Sequence, residues 1–99
     1  MEESRRIRMV TNEDYGFDIE YGKGIIVVHI AYLKKFHKGT FNSMAYDLER
    51  FSHFFKATGY DKLHSVTETD NVKLKRLLKK FNFVRIGIAG DLDIFEREN

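Results

Sequence analysis

The chain has no cysteine, no proline and no tryptophan. The lack of cysteine rules out disulfides, thiolate metal sites and a cysteine nucleophile, and it suits a cytoplasmic location. A large excess of one charge sign is also missing. The formal net charge is +2, too small in itself to imply nucleic-acid binding, although a local patch could still act. No long hydrophobic run is present: the longest, "GIIVVHIAYL", is too short to span a bilayer. The opening "MEESRRIRMV" puts acids first and has no apolar core, so it does not read as a secretory signal. Internal repeats and low-complexity linkers are absent too. What remains is an ordinary globular composition, 42% hydrophobic and 32% charged, with nine Phe and five Tyr to build a core. Ninety-nine residues make a single domain, 1–99, with little stability to spare.

Two strands joined by a turn are expected in "GFDIEYGKGIIVVHIAYL", where Gly22, Lys23 and Gly24 supply positive-φ positions. Ile25 to Leu33 is nearly continuous apolar sequence and belongs in the middle of a sheet. Residues 1–15 are poorly specified; "RIRMV", residues 6–10, reads as a further edge strand. Phe41, Met44, Ala45, Leu48, Ser52 and Phe55 recur at helical spacing. That helix should start near Thr40 or Asn42 and end at Gly59. "KLHSV", residues 62–66, is a short strand. Thr69, Asp70 and Asn71 offer caps for a second helix with apolar positions Leu74, Leu77, Leu78 and Phe81. "FVRIGIA" and "LDIFERE" form a closing hairpin around Gly90-Asp91. The expectation is an α+β fold, or α/β in a looser scheme: a mixed β-sheet with two helices in the order β-β-α-β-α-β-β.

This order resembles the GNAT superfamily of acyl-CoA-dependent N-acyltransferases in a truncated form. The family's closing signature is an Asn, a helix, "GF" and a strand. Here Asn71 lies twelve residues before Phe83, and Asn82-Phe83 stands where the family has "GF". Asn is the best substitute for Gly at a left-handed helix terminator. "ATGYDKLHSVTETDN" is similar to the family's preceding passage, through Gly59, Leu63, Val66 and Asn71. The resemblance covers residues 16–95 and implies acetyl-CoA as acyl donor, bound at Lys38, Gly39 and Thr40 and at Asn71. The first three begin a helix, where free amides and the helix dipole favour an anion. Departures are visible as well. Phe36 and Phe41 flank Gly39 where the family favours a polar residue and a small one. Leu78 stands where many members carry a Tyr acid. The family's opening strand and helices look absent. The chain looks most like small divergent GNAT-like proteins of phages, which implies host cytoplasm or virion.

His29, inside the apolar strand, is a candidate general base or a hydrogen-bonded core residue. Glu20 and Asp18 on the preceding strand are alternative bases. The remaining histidines show no metal spacing, and no metal is expected. Lys73, Lys75, Arg76, Lys79 and Lys80 read as the solvent face of an amphipathic helix rather than a nucleic-acid surface, since no base-reading residues interleave with them. Phe51, Phe54, Phe55 and Tyr46 cover too much of one helix for a single core stripe. Partial exposure is expected there, and with it a protein partner or a homodimer. Two functions are open. In the first, a degenerate GNAT-like module, a phage virion or host-interaction protein, binds a protein partner. In the alternative, a minimal acyl-CoA N-acetyltransferase passes an acetyl group to an amine.

Overall fold

At the turn 22–24 the backbone enters the left-handed region, with φ of 56° at Lys23 and 77° at Gly24. Consecutive positive φ values match the twist of a two-residue hairpin. That turn joins β2 (Tyr15–Gly22) to β3 (Ile25–Leu33). The computed structural model describes residues 4–99. The other elements are β1 (Arg5–Thr11), α1 (Lys38–Ala57), β4 (Lys62–Glu68), α2 (Val72–Lys80), β5 (Val84–Ala89) and β6 (Leu92–Glu98). The six strands form one sheet in the order β1-β2-β3-β4-β6-β5. Only β3 and β4 run parallel; every other neighbouring pair is antiparallel.

The α+β expectation holds, with one addition. The N-terminal segment is a full edge strand paired along β2, so the order is β-β-β-α-β-α-β-β. Arg5, Arg6 and Arg8 weaken its sequence signal, because they sit among the apolar residues that would mark a strand. β1 and β2 are joined directly through residues 12–14 with no intervening helix. Asn12 organises that turn: its side chain accepts from the Asp14 and Tyr15 amides at 2.9 Å each.

Both helices pack on one face of the sheet. Phe17, Ile19, Ile26, Val28, Leu63 and Phe95 face Met44, Leu48, Phe51 and Phe55 of α1, with Leu77, Leu78 and Phe81 completing the cluster. Alternation along the strands puts these residues on one side and their neighbours on the other. Polar ties lock the helices down. Tyr15 donates its hydroxyl to Asp47 of α1; burial, followed by that bond, pushes the phenol up to about 12. Arg97 of β6 pairs with Glu49 of α1 and donates to the Phe81 carbonyl at 3.2 Å. Helix α2 ends as expected, with Asn82 at φ 69°, but α1 begins differently. Its cap is His37, not Thr40 or Asn42. Thr40 is buried and its hydroxyl instead donates to the Lys35 carbonyl at 3.2 Å.

Candidate active site

The parallel strands β3 and β4 meet at a single backbone register pair, Val27 with His64. One side-chain bond reinforces it: Ser65 donates its hydroxyl to the Val28 carbonyl at 2.7 Å. Among the described residues no further backbone register pair joins the two strands. The cause lies partly in β3. Gly16 pairs with Tyr32 and Phe17 with Ile30, which leaves Ala31 as an extra, bulged residue. A bulge bends its strand and re-aims the residues after it. Backbone pairing is therefore sparse toward the carboxyl ends of β3 and β4, the end of an open sheet where ligands commonly bind.

A cleft of about 240 Å³ lies at this end, between Leu33 and Phe36 on one side and Lys73, Leu74, Arg76, Leu77 and Lys80 of α2 on the other. Its floor is apolar. Among the described residues Lys73, Arg76 and Lys80 make no ion pair, so its rim is positive. An apolar floor with a few converging charges suits an amphipathic anion. Asn71 stands at the start of α2 and caps it, accepting from the Leu74 amide at 3.2 Å. Leu78, by contrast, is buried in the core. A larger groove of about 630 Å³ runs between Met9, Val10 and the outer side of α1. Its acid, Asp47, is engaged by Tyr15, so the groove lacks a free acid–base pair.

At the start of α1 the structure brings Lys38, Gly39 and Thr40 together, but with an occupant already in place. The His37 Nδ1 accepts from the Gly39 amide at 3.1 Å and the Thr40 amide at 3.3 Å. An imidazole acceptor thus takes two of the donors that an anion would use. A Cβ on Gly39 would meet the His37 ring at 3.0 Å, so glycine keeps that cap close. Phe36 and Phe41 are not loose beside it: Phe41 stacks on Phe81 at 4.9 Å and meets Phe36 edge-on at 6.3 Å. These rings join the start of α1 to the end of α2.

On the opposite, helix-free face, two of the sequence candidates for a base form one unit. His29 Nε2 and Glu20 Oε1 lie 2.8 Å apart. Hydrogen bonds from Ser4, at 2.7 Å, and from His29 hold the Glu20 carboxyl below the usual carboxylate range. An ionised carboxylate only accepts, so in this contact Nε2 is the donor. Ser4, Glu20, Tyr21, Ile25, Val27 and Val66 line a cleft of about 270 Å³ with His29. Asp18 drops out as a base. Burial would raise its carboxyl, but hydrogen bonds from Arg8 and Arg6 outweigh that and hold it low.

The basic helix hides a residue that periodicity did not single out. Lys75 is no solvent-facing cation: its Nζ lies 3.1 Å from Oδ2 of the fully buried Asp93. Thr69 donates to the other Asp93 oxygen at 2.9 Å. Burial opposes ionisation of Asp93, yet these two partners hold its carboxyl below the ordinary value. A signal did exist. Asp93 and Phe95 alternate on one strand, so a core Phe95 turns Asp93 inward, where it needs a partner. No group of three or more His, Asp or Glu able to hold a metal occurs among the described residues. No helix among them is long and apolar enough to cross a membrane.

No family model matches the sequence, and no curated protein matches it. Solved structures do match in fold. A protein of Agrobacterium tumefaciens described as a "putative acetyltransferase" superposes with a TM-score of 0.66 at 15% identity, over 98% of this chain and 77% of that one. A second, from Sphaerobacter thermophilus and described in the same words, gives 0.52 at 12% identity, over 87% of this chain and 61% of its own length. The chain therefore has a GNAT-like fold, in agreement with the signature around Asn71.

Proposed function

We propose that the chain is a minimal acyl-CoA-dependent N-acyltransferase. The observation that carries this reading is the single backbone bridge between β3 and β4, with a cationic, apolar-floored cleft on one side of the sheet and a His–Glu pair on the other. Support comes from the GNAT-like fold shared with the two acetyltransferase-like structures. The phosphates of acetyl-CoA would meet Lys73, Arg76 and Lys80, and its apolar arm would lie against Leu33, Phe36, Leu74 and Leu77. Asn71 would border that arm while still capping α2. Lys38, Gly39 and Thr40 would join in when His37 swings off their amides.

The reaction moves an acyl group from sulfur to nitrogen. The amine nitrogen forms a bond to the thioester carbonyl carbon, the carbon–sulfur bond breaks, and the sulfur leaves with its electron pair. The amine must shed a proton, and in this reading His29 would take it while Glu20 steadies the imidazolium. The buried Leu78 offers no acid to the leaving sulfur. Catalysis therefore rests mainly on holding thioester and amine in attack geometry.

The test is a melting titration with acetyl-CoA, followed by transfer assays on a panel of amines. A ligand at a hundred times its Kd stabilises by about 2.7 kcal/mol, which the melt resolves. Arg76→Glu with Lys80→Glu should weaken binding at least about tenfold, a loss of about 1.4 kcal/mol. His29→Ala should leave binding intact and cut transfer by roughly 100-fold or more. A melt unmoved by millimolar acetyl-CoA would rule the enzyme out.

One observation favours a second reading, in which the fold serves a protein partner and transfers nothing. The α1 amides are already satisfied by His37. The exposed Phe54 and Tyr46, about 60% and 64% accessible, would then belong to the partner surface. The same titration separates the two, since this reading needs no response to acetyl-CoA.

A further inference from the structure

The cleft on the helix-free face has a chemistry of its own. Glu20, Val27 and His64 lie side by side across β2, β3 and β4, and the next pair toward the turn is Gly22 with Ile25. Alternation puts Ile25, Val27 and His29 on this face, together with Val66 of β4. Gly22 carries no side chain, so β2 leaves space beside Ile25. Ile25, Val27 and Val66 give the cleft an apolar side, and Ile25 is exposed. Among the described residues that line it, Glu20 is the one acid. That side chain is 33% exposed, and bonds from Ser4 and His29 keep it ionised. Two cations bound it: Lys23 lines the cleft, and Arg6 is close enough to help stabilise the Glu20 charge.

We propose that this cleft selects the acyl acceptor as a small primary monoamine carried on an apolar body. The inference rests on the acyltransferase reading above and names its acceptor class. A single ionised carboxylate fixes one cationic position, and the ammonium of the acceptor takes it. The rest of the acceptor lies on Ile25, Val27 and Val66 and displaces water from them. The volume of about 270 Å³ falls just below the roughly 300–1,000 Å³ of most small-molecule sites, so the body is one ring or a short branched chain. A second ammonium has no favourable place. It meets Lys23 or Arg6, or it loses water against the apolar side without gaining a partner. Polyamines, and lysines set among other basic residues, are therefore poor acceptors. His29 touches Glu20 at 2.8 Å, so an ammonium drawn to the carboxylate arrives beside the imidazole that takes its proton.

The test is calorimetric titration of the full chain with phenethylamine, phenethyl alcohol and spermidine, each with and without millimolar CoA, whose free thiol has no acyl group to give. The imidazole resonance of His29, assigned by its loss in His29→Ala, locates the binding. Phenethylamine should bind at least about tenfold more tightly than either other probe and should shift that resonance. Glu20→Gln should weaken phenethylamine about tenfold or more and leave phenethyl alcohol within about threefold of wild type. Ile25→Lys, at an exposed position, should weaken phenethylamine at least about tenfold by placing a cation on the apolar side; circular dichroism checks that both variants fold. Equal affinities for the three probes, a preference for spermidine, or a preference for phenethylamine that survives Glu20→Gln would each overturn the proposal. The acyl donor is judged apart, by the acetyl-CoA melt. A melt that responds without any preference among the probes removes the acceptor class alone. Selective binding of phenethylamine with an unmoved melt upholds the ligand class of the cleft and removes the transfer reading.

Discussion

The two faces of the sheet solve different problems with the same strands. Toward the helices, alternation buries Phe17, Ile19, Val28, Leu63 and Phe95 in one cluster. That face tolerates charge only where it is tied, as in Asp93 with Lys75 and Thr69. Away from the helices, the same strands carry Arg6 and Arg8 against Asp18, Glu20 against His29, and His64 against Glu96. No helix covers that side, so its charges pair across neighbouring strands and most keep contact with water, the Asp18 carboxylate alone among them being buried under its two arginines. One face stores stability. The other presents paired, partly hydrated groups, and a proton acceptor is useful only where a substrate can reach it.

The contrast can be broken in steps. The largest effect belongs to the core: Phe95→Ala should cost about 3–5 kcal/mol in denaturant unfolding, because the ring is fully buried. If the loss were near zero, the helix face would not be the stabilising one. Asp93→Asn should come next, since it leaves Lys75 without its counter-charge. Its pH dependence gives a sharper reading. The folded-state pKa of Asp93 is depressed. Its contribution is therefore present above the unfolded carboxylate value, near 3.8, and is lost as pH falls through the lower folded value. Wild type and Asp93→Asn should differ in melting temperature at neutral pH and converge in acid. The smallest effect belongs to the open face, where Arg8→Ala should change stability by about 1 kcal/mol or less. That guanidinium is 45% exposed, and Arg6 still holds Asp18. A loss comparable to that of Phe95→Ala would erase the distinction between the faces.

Much of this was legible in the sequence. The turn at Lys23-Gly24, the apolar run of β3, the helical spacing around Met44 and Leu48 and the Asn82 terminator are local signals, and the structure bears each of them out. The site was legible in parts only. His29 and Glu20 stood out as separate candidates; that they touch depends on the register of β2 against β3, which pairs Asp18 with His29 and Glu20 with Val27. His37 was missed as a cap because the usual capping residues, Thr40 and Asn42, lay just downstream. Lys75 was grouped with its charged neighbours because helical periodicity marks a face and does not say how far a long side chain reaches. Pairings between distant elements are where local pattern stops informing.

The lone bridge between Val27 and His64 has a mechanical consequence. On either side of it stand two antiparallel ribbons, β1-β2-β3 and β4-β6-β5, each laddered along its length. Between them run one register pair and the Ser65–Val28 bond. The sheet is thus two laddered ribbons joined at one bridge, with α1 running from the end of one ribbon to the start of the other and one shared core beneath both. Amide exchange should proceed in two cooperative blocks divided at this line. Any ligand that bonded to both β3 and β4 would act as a splint, supplying the cross-ribbon bonding that the chain itself leaves out.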